Sequence, residues 1–161
     1  MLAVFVAVAV GLAVWLLAGG DSTNAQPKED PVAFLDGIVR GIVANDYGRV
    51  WQSLHPAQQR VAKRDAYIAC EHRTQIAARL DWIKPLRAVN QQISVAGDGG
   101  GPVQSKAVTF ELKLVGEQQP FPVTVHAIAV DGRWRWILTP RRFETYRSGA
   151  CPQAEPASPS A

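Results

Sequence analysis

Residues 121–138 read FPVTVHAIAVDGRWRWIL. Phe121, Val123, Val125 and Ala127 alternate with Thr124 and His126, the two-residue period of a strand with one buried face. Asp131-Gly132 is a dipeptide favoured by tight type I′ turns, so Arg133–Leu138 is expected to return as a second strand. Upstream, Val108, Phe110, Leu112 and Leu114 alternate with Thr109, Glu111 and Lys113, which adds a third strand. An earlier strand is expected from Leu86 to Val95, ahead of the glycine-rich connection Gly97–Pro102. The second half of the chain therefore reads as an antiparallel meander.

The first half changes period. Asp30-Pro31 supplies an N-cap and a proline at the first helical position. Phe34, Leu35, Ile38, Val39, Ile42 and Val43 follow at three-to-four spacing, an amphipathic helix that Asn45-Asp46 ends. Gly37 and Gly41 leave room on it for a close neighbour. Tyr47, Val50, Trp51 and Leu54 form a shorter helix that His55-Pro56 stops. A third helix is expected from Asp65 as its N-cap, carrying Ile68, Ile76 and Leu80 to the core. Three helices followed by a meander predict an α+β fold, with the helices on one face of the sheet. The expected core combines Phe34, Leu35, Ile38, Val39 and Ile42 with Trp51, Leu54, Val108, Phe110, Leu112, Val123, Val125, Trp136 and Leu138.

The ends of the chain speak to location. Met1–Gly20 contains no ionisable side chain. As a helix it would be roughly 30 Å long, the thickness of a bilayer's hydrocarbon core. Residues 1–20 are read as a transmembrane anchor, with a cleaved signal peptide as the alternative, because all 17 Lys and Arg lie downstream and no clean cleavage site follows. Residues 21–30 read as a linker, 31–148 as the folded domain and 149–161 as a disordered tail rich in Pro, Ser and Ala. The two cysteines, Cys70 and Cys151, are expected to form a disulfide, which places the domain on the extracytoplasmic side of the cell membrane, or secreted in the alternative. The net charge of +3 is spread too evenly for a nucleic-acid or polybasic lipid patch; Lys63-Arg64 and Arg141-Arg142 read as solvated surface pairs.

The Phe-Leu helix, the short Tyr-Val-Trp helix and the hairpin around Asp131-Gly132-Arg133-Trp134-Arg135-Trp136 resemble the NTF2-like (cystatin-like cone) superfamily over Pro31 to Tyr146. The likeness is to its small membrane-anchored or secreted bacterial members. It implies a curved sheet wrapped around helices with a cavity inside the cone. Members span isomerases, polyketide cyclases, dehydratases, transport adaptors and membrane-anchored assembly subunits, so the resemblance leaves function open.

Enzymatic members of that superfamily use an Asp or His and a hydrogen-bond donor inside the cone. The pocket candidates here are Asp46, Tyr47 and His126, with Trp51 and Trp136 as walls. His126 alternates with Val125 and Ala127 and should face solvent; His55 precedes Pro56 and suits a capping role; His72 should lie on the exposed side of its helix. Scattered histidines and distant cysteines predict no metal site, and no phosphate loop or nucleophile elbow predicts a cofactor or acyl chemistry. The reading that follows is a membrane-anchored, extracytoplasmic binding or scaffold domain without catalysis. It would engage a protein partner in an envelope assembly or a small apolar ligand, and no nucleic acid. The alternative is a cone-pocket enzyme of the isomerase or cyclase type using Asp46 or His126.

Overall fold

The computed structural model describes residues 26–74 and 79–153. Four helices come first: α1 (Pro31–Val43), α2 (Tyr47–Gln52), α3 (Pro56–Val61) and α4 (Arg64–Arg73). Strands β1 (Leu80–Ile93), β2 (Val103–Leu114), β3 (Phe121–Val130) and β4 (Arg133–Trp136) form one antiparallel sheet in chain order, and α5 (Pro140–Arg147) closes the domain. The fold is α+β, with five described helices where the sequence predicts three.

Register places the apolar period on one face. Ile83, Leu112 and Phe121 lie side by side, as do Val108 and Val125, and Ala127 pairs with Trp136. Thr109–Thr124 and Ala107–His126 occupy the opposite face. Helix α1 lies across all four strands and buries Leu35, Ile38 and Val39 against them. Its start follows the sequence, with the Asp30 carboxylate accepting from the Ala33 N–H at 3.2 Å and Pro31 in the first turn. Gly41 allows close approach of α2, since a Cβ there would sit 2.8 Å from Val50 Cγ2; Gly37 faces open space. Asp131 and Gly132 take φ of 50° and 70°, the positive values that a type I′ turn requires at both central positions.

The differences have local causes. Pro56 stops α2 but also begins α3, because His55 Nδ1 accepts from the Ala57 N–H at 3.3 Å and caps a new helix. Helix α4 starts at Arg64 with Lys63 in the capping position, so Asp65 sits in its first turn instead of capping it. Leu80 belongs to β1, which begins there and not at Leu86; Ile76 lies outside the described residues. Helix α5 is capped by Thr139, starts with Pro140 and buries Phe143 and Tyr146. Nine expected core residues are buried (Leu35, Ile38, Val39, Leu54, Val108, Phe110, Leu112, Trp136 and Leu138), while Phe34, Ile42, Trp51, Val123 and Val125 are partly buried around them. Tyr47, Val50, Ala62, Tyr67, Cys70, Ala127, Trp134, Phe143 and Tyr146 complete the cluster.

Cys70 on α4 and Cys151 after α5 lie at disulfide distance, with Cα atoms 5.0 Å apart. The apolar run 1–20 and most of the tail, 154–161, lie outside the described residues. Among the described residues no helix is long and apolar enough to cross a membrane.

Two measurements test this packing. Ile38→Ala should lower the unfolding free energy by about 2–5 kcal/mol in urea titrations, and a loss under about 1 kcal/mol would place Ile38 at the surface. Replacing Cys70 with Ser frees a loop of 81 residues, worth roughly 4.5 kcal/mol in the chain-entropy model. An unfolding midpoint indifferent to that change, and to reductant in the parent protein, would show that the pair is not bonded.

Candidate functional site

Residues of α1, α4 and α5 and of strands β1, β3 and β4 line a half-open cavity of about 420 Å³. Its apolar wall is Ile42 of α1, Val123 and Val125 of β3, and Trp136 and Leu138 at the end of β4. Tyr67 and Glu71 of α4, Arg142 of α5 and His126 of β3 bring polar groups to it, and Ile93, Ser94 and Ala96, at and just after the end of β1, line it as well.

Glu71 is buried, and its Oε1 accepts from both the Arg142 guanidinium and the Tyr146 hydroxyl. The Tyr67 and Tyr146 rings pack 5.7 Å apart beside it. Burial alone would pull the Arg142 guanidinium down, but the charge and hydrogen bond of Glu71 outweigh it and hold Arg142 above its ordinary value. Burial and the carboxylate together push both tyrosine hydroxyls far above their usual range. Glu71, Arg142 and Tyr146 are thus committed to one another, with the Tyr67 ring packed against them. The network holds α4 to α5.

His126 differs. Its Nδ1 lies 3.3 Å from Ser105 Oγ, and that hydroxyl donates to the Gln91 carbonyl at 2.9 Å. A hydroxyl has one hydrogen, so once it is given to Gln91 the ring must donate from Nδ1, which leaves the Nε2 lone pair uncommitted. Burial lowers the imidazole below its ordinary 6.5, keeping the ring neutral at pH 7. Register does place His126 opposite Val125, yet the ring is half-buried, because Ser105 and the turn after β1 crowd that face.

The other sequence candidates sit elsewhere. Asp46 is exposed at the N-cap of α2, where the side-chain hydrogen bond from Arg49 holds its carboxyl below the usual range. Tyr47 is buried in the core, donates to Asn45 Oδ1 at 2.7 Å and meets His72 edge-on. Trp51 is half-buried and donates to the Ala62 carbonyl at 2.7 Å. Trp136 lines the cavity while its indole N–H donates to the Val50 carbonyl. Of the five pocket candidates, His126 and Trp136 share the cavity, and Asp46, Tyr47 and Trp51 do not line it. Arg142, read from the sequence as half of a solvated pair, is mostly buried against Glu71. The cysteine pair held the signal for that network: joining residue 70 to 151 brings Glu71 beside the helix that precedes Cys151. Among the described residues no group of three or more His, Cys, Asp or Glu side chains is placed to share a metal ion.

Two histidines, then, are held neutral by burial, and the sign of their effect on stability is fixed. His55 is buried and its Nδ1 accepts a helix-capping hydrogen bond that protonation would abolish. With folded values depressed, the unfolded chain binds more protons between the folded value and 6.5, so stability falls as pH drops through that window. His55→Asn keeps a capping acceptor without titrating and should flatten the dependence of the melting temperature between pH 7 and about 5. A parent protein equally stable across that range would show that neither ring is held neutral.

Compared with known protein families and with curated proteins, the chain matches none.

Proposed function

We propose that this chain is a membrane-anchored, extracytoplasmic binding domain on an NTF2-like cone, which holds a small apolar ligand in the cavity without transforming it. One observation carries the reading: the cavity wall is mainly apolar, and among its polar residues is a neutral histidine whose Nε2 makes no hydrogen bond to the described residues. Such a site fits a molecule that is mainly hydrocarbon with one hydrogen-bond donor. Glu71, the nearby carboxylate, is engaged by Arg142 and Tyr146, so His126 has no acid partner to complete a proton relay. The charge-free run 1–20 and the cysteine pair support the anchored, extracytoplasmic placement. A catalytic reading, as an isomerase or cyclase, rests on His126 alone as a base, since Asp46 caps a helix in solvent.

Full-length protein in neutral detergent should bind the uncharged fluorophore N-phenyl-1-naphthylamine saturably. Val123→Phe, which puts an aromatic ring into the cavity, should weaken that binding. His126→Phe should weaken it by a few-fold to about tenfold, because the probe's amine N–H loses Nε2 as its acceptor. Absence of saturable binding would sink the ligand reading. A ligand recovered chemically altered by the parent but not by His126→Gln would favour the enzyme. Intact mass of protein from its native membrane tests the anchor separately.

A further inference from the structure

We infer that the chain carries a second site, a cationic cleft that takes a phosphate group, and that its occupant is the headgroup of an anionic phospholipid. The cleft, about 330 Å³, lies where the N-terminal segment meets the last hairpin, and it is lined by Lys28, Glu29, Gln52, Gly132, Arg133 and Arg135 among others. Three cations face one carboxylate there. Among the described residues none of Lys28, Arg133 and Arg135 makes an ion pair, whereas Arg40, Arg49, Arg64, Arg142 and Arg147 each do. Arg135 is the sharpest case. Its Nη1 donates to the neutral Gln52 carbonyl at 2.7 Å, and its Nε is the one buried side-chain polar atom among the described residues without a hydrogen-bond partner. A half-buried guanidinium with no anion beside it is uncompensated, and phosphate oxygens match its planar fork.

The position selects the source of the phosphate. Trp134 pins the N-terminal segment to the hairpin by donating from its indole to the Glu29 carbonyl at 2.7 Å. Residues 27–29 form one wall of the cleft, and only residues 21–26 separate them from the apolar run 1–20. Six residues reach at most about 20 Å, so a chain anchored by that run holds the cleft at the bilayer surface. This step rests on the anchored reading. The cluster is absent from the sequence as a run, because Lys28 joins Arg133 and Arg135 only through the fold.

Hydrogen exchange of the full-length protein on phosphatidylcholine membranes, with and without phosphatidylglycerol, tests the site. Amides of residues 28–30 and 131–133 should exchange about fivefold or more slowly on the anionic membrane, the effect that one cation at such a surface produces. The slowing should vanish at high salt and in the double variant Lys28→Gln/Arg133→Gln, which alters only exposed side chains and so leaves the fold intact. Identical exchange on both membranes would overturn the proposal. Slowing by inorganic phosphate on the neutral membrane, with none from phosphatidylglycerol, would overturn the lipid assignment. Should the anchor reading alone fail, the protein would still sediment with phosphatidylglycerol vesicles and not with phosphatidylcholine ones.

Discussion

Strand β4 has four residues, and one of its edges would expose unpaired backbone beside the core if the segment after α2 did not close it. The Trp136 N–H donates to the Ser53 carbonyl at 3.1 Å, and the Trp136 carbonyl accepts from the His55 N–H at 2.9 Å. Two residues further on, the fully buried Gln58 side chain behaves as a substitute peptide group. Its Oε1 accepts from the Leu138 N–H at 2.7 Å while its Nε2 faces the Leu138 carbonyl. Leaving such buried groups unsatisfied would cost about 1–3 kcal/mol each. The stitching therefore fixes α2 and α3 to the end of the sheet. Through the close contact at Gly41 it also sets the place of α1, and with it the cavity wall.

The sheet's other edge is treated differently. Strand β1 pairs only with β2 and exposes Trp82 and Leu86. Its first half carries the features that discourage another strand from adding. Pro85 has no N–H to donate, the register shifts between Pro85 and Arg87, and Lys84 and Arg87 bring charge to the rim. One edge is thus satisfied by the chain itself, and the other is guarded.

What the sequence reveals follows from range. The alternation in β2 and β3, the Asp131-Gly132 turn and the Asp30-Pro31 start are signals within a few residues, and the structure contains each of them. Helix α5 is less legible: Thr139-Pro140 is a cap signal, but it stands directly behind the apolar strand run Arg133–Leu138. The site was less legible. Alternation settles which face His126 takes, but its burial depends on Ser105 and on the turn after β1, which come from other strands. Glu71 and Arg142 are separated by 71 positions, and neither has a local pattern that implies the other.

That pair also shows why a buried charge persists in so small a domain. Burying Glu71 and Arg142 carries a desolvation cost that their attraction only partly offsets, so the pair is a weak argument for stability. Its value lies in geometry. Glu71 follows Cys70, and Arg142 and Tyr146 lie on the helix just before Cys151, so the ionic network and the cysteine pair form one joint between α4 and α5. Tyr67 and Glu71 on one side of the joint and Arg142 on the other all line the cavity. A change that loosens α5 therefore moves a wall of the cavity and exposes a carboxylate and a guanidinium together. The apolar character of the site depends on that joint staying closed.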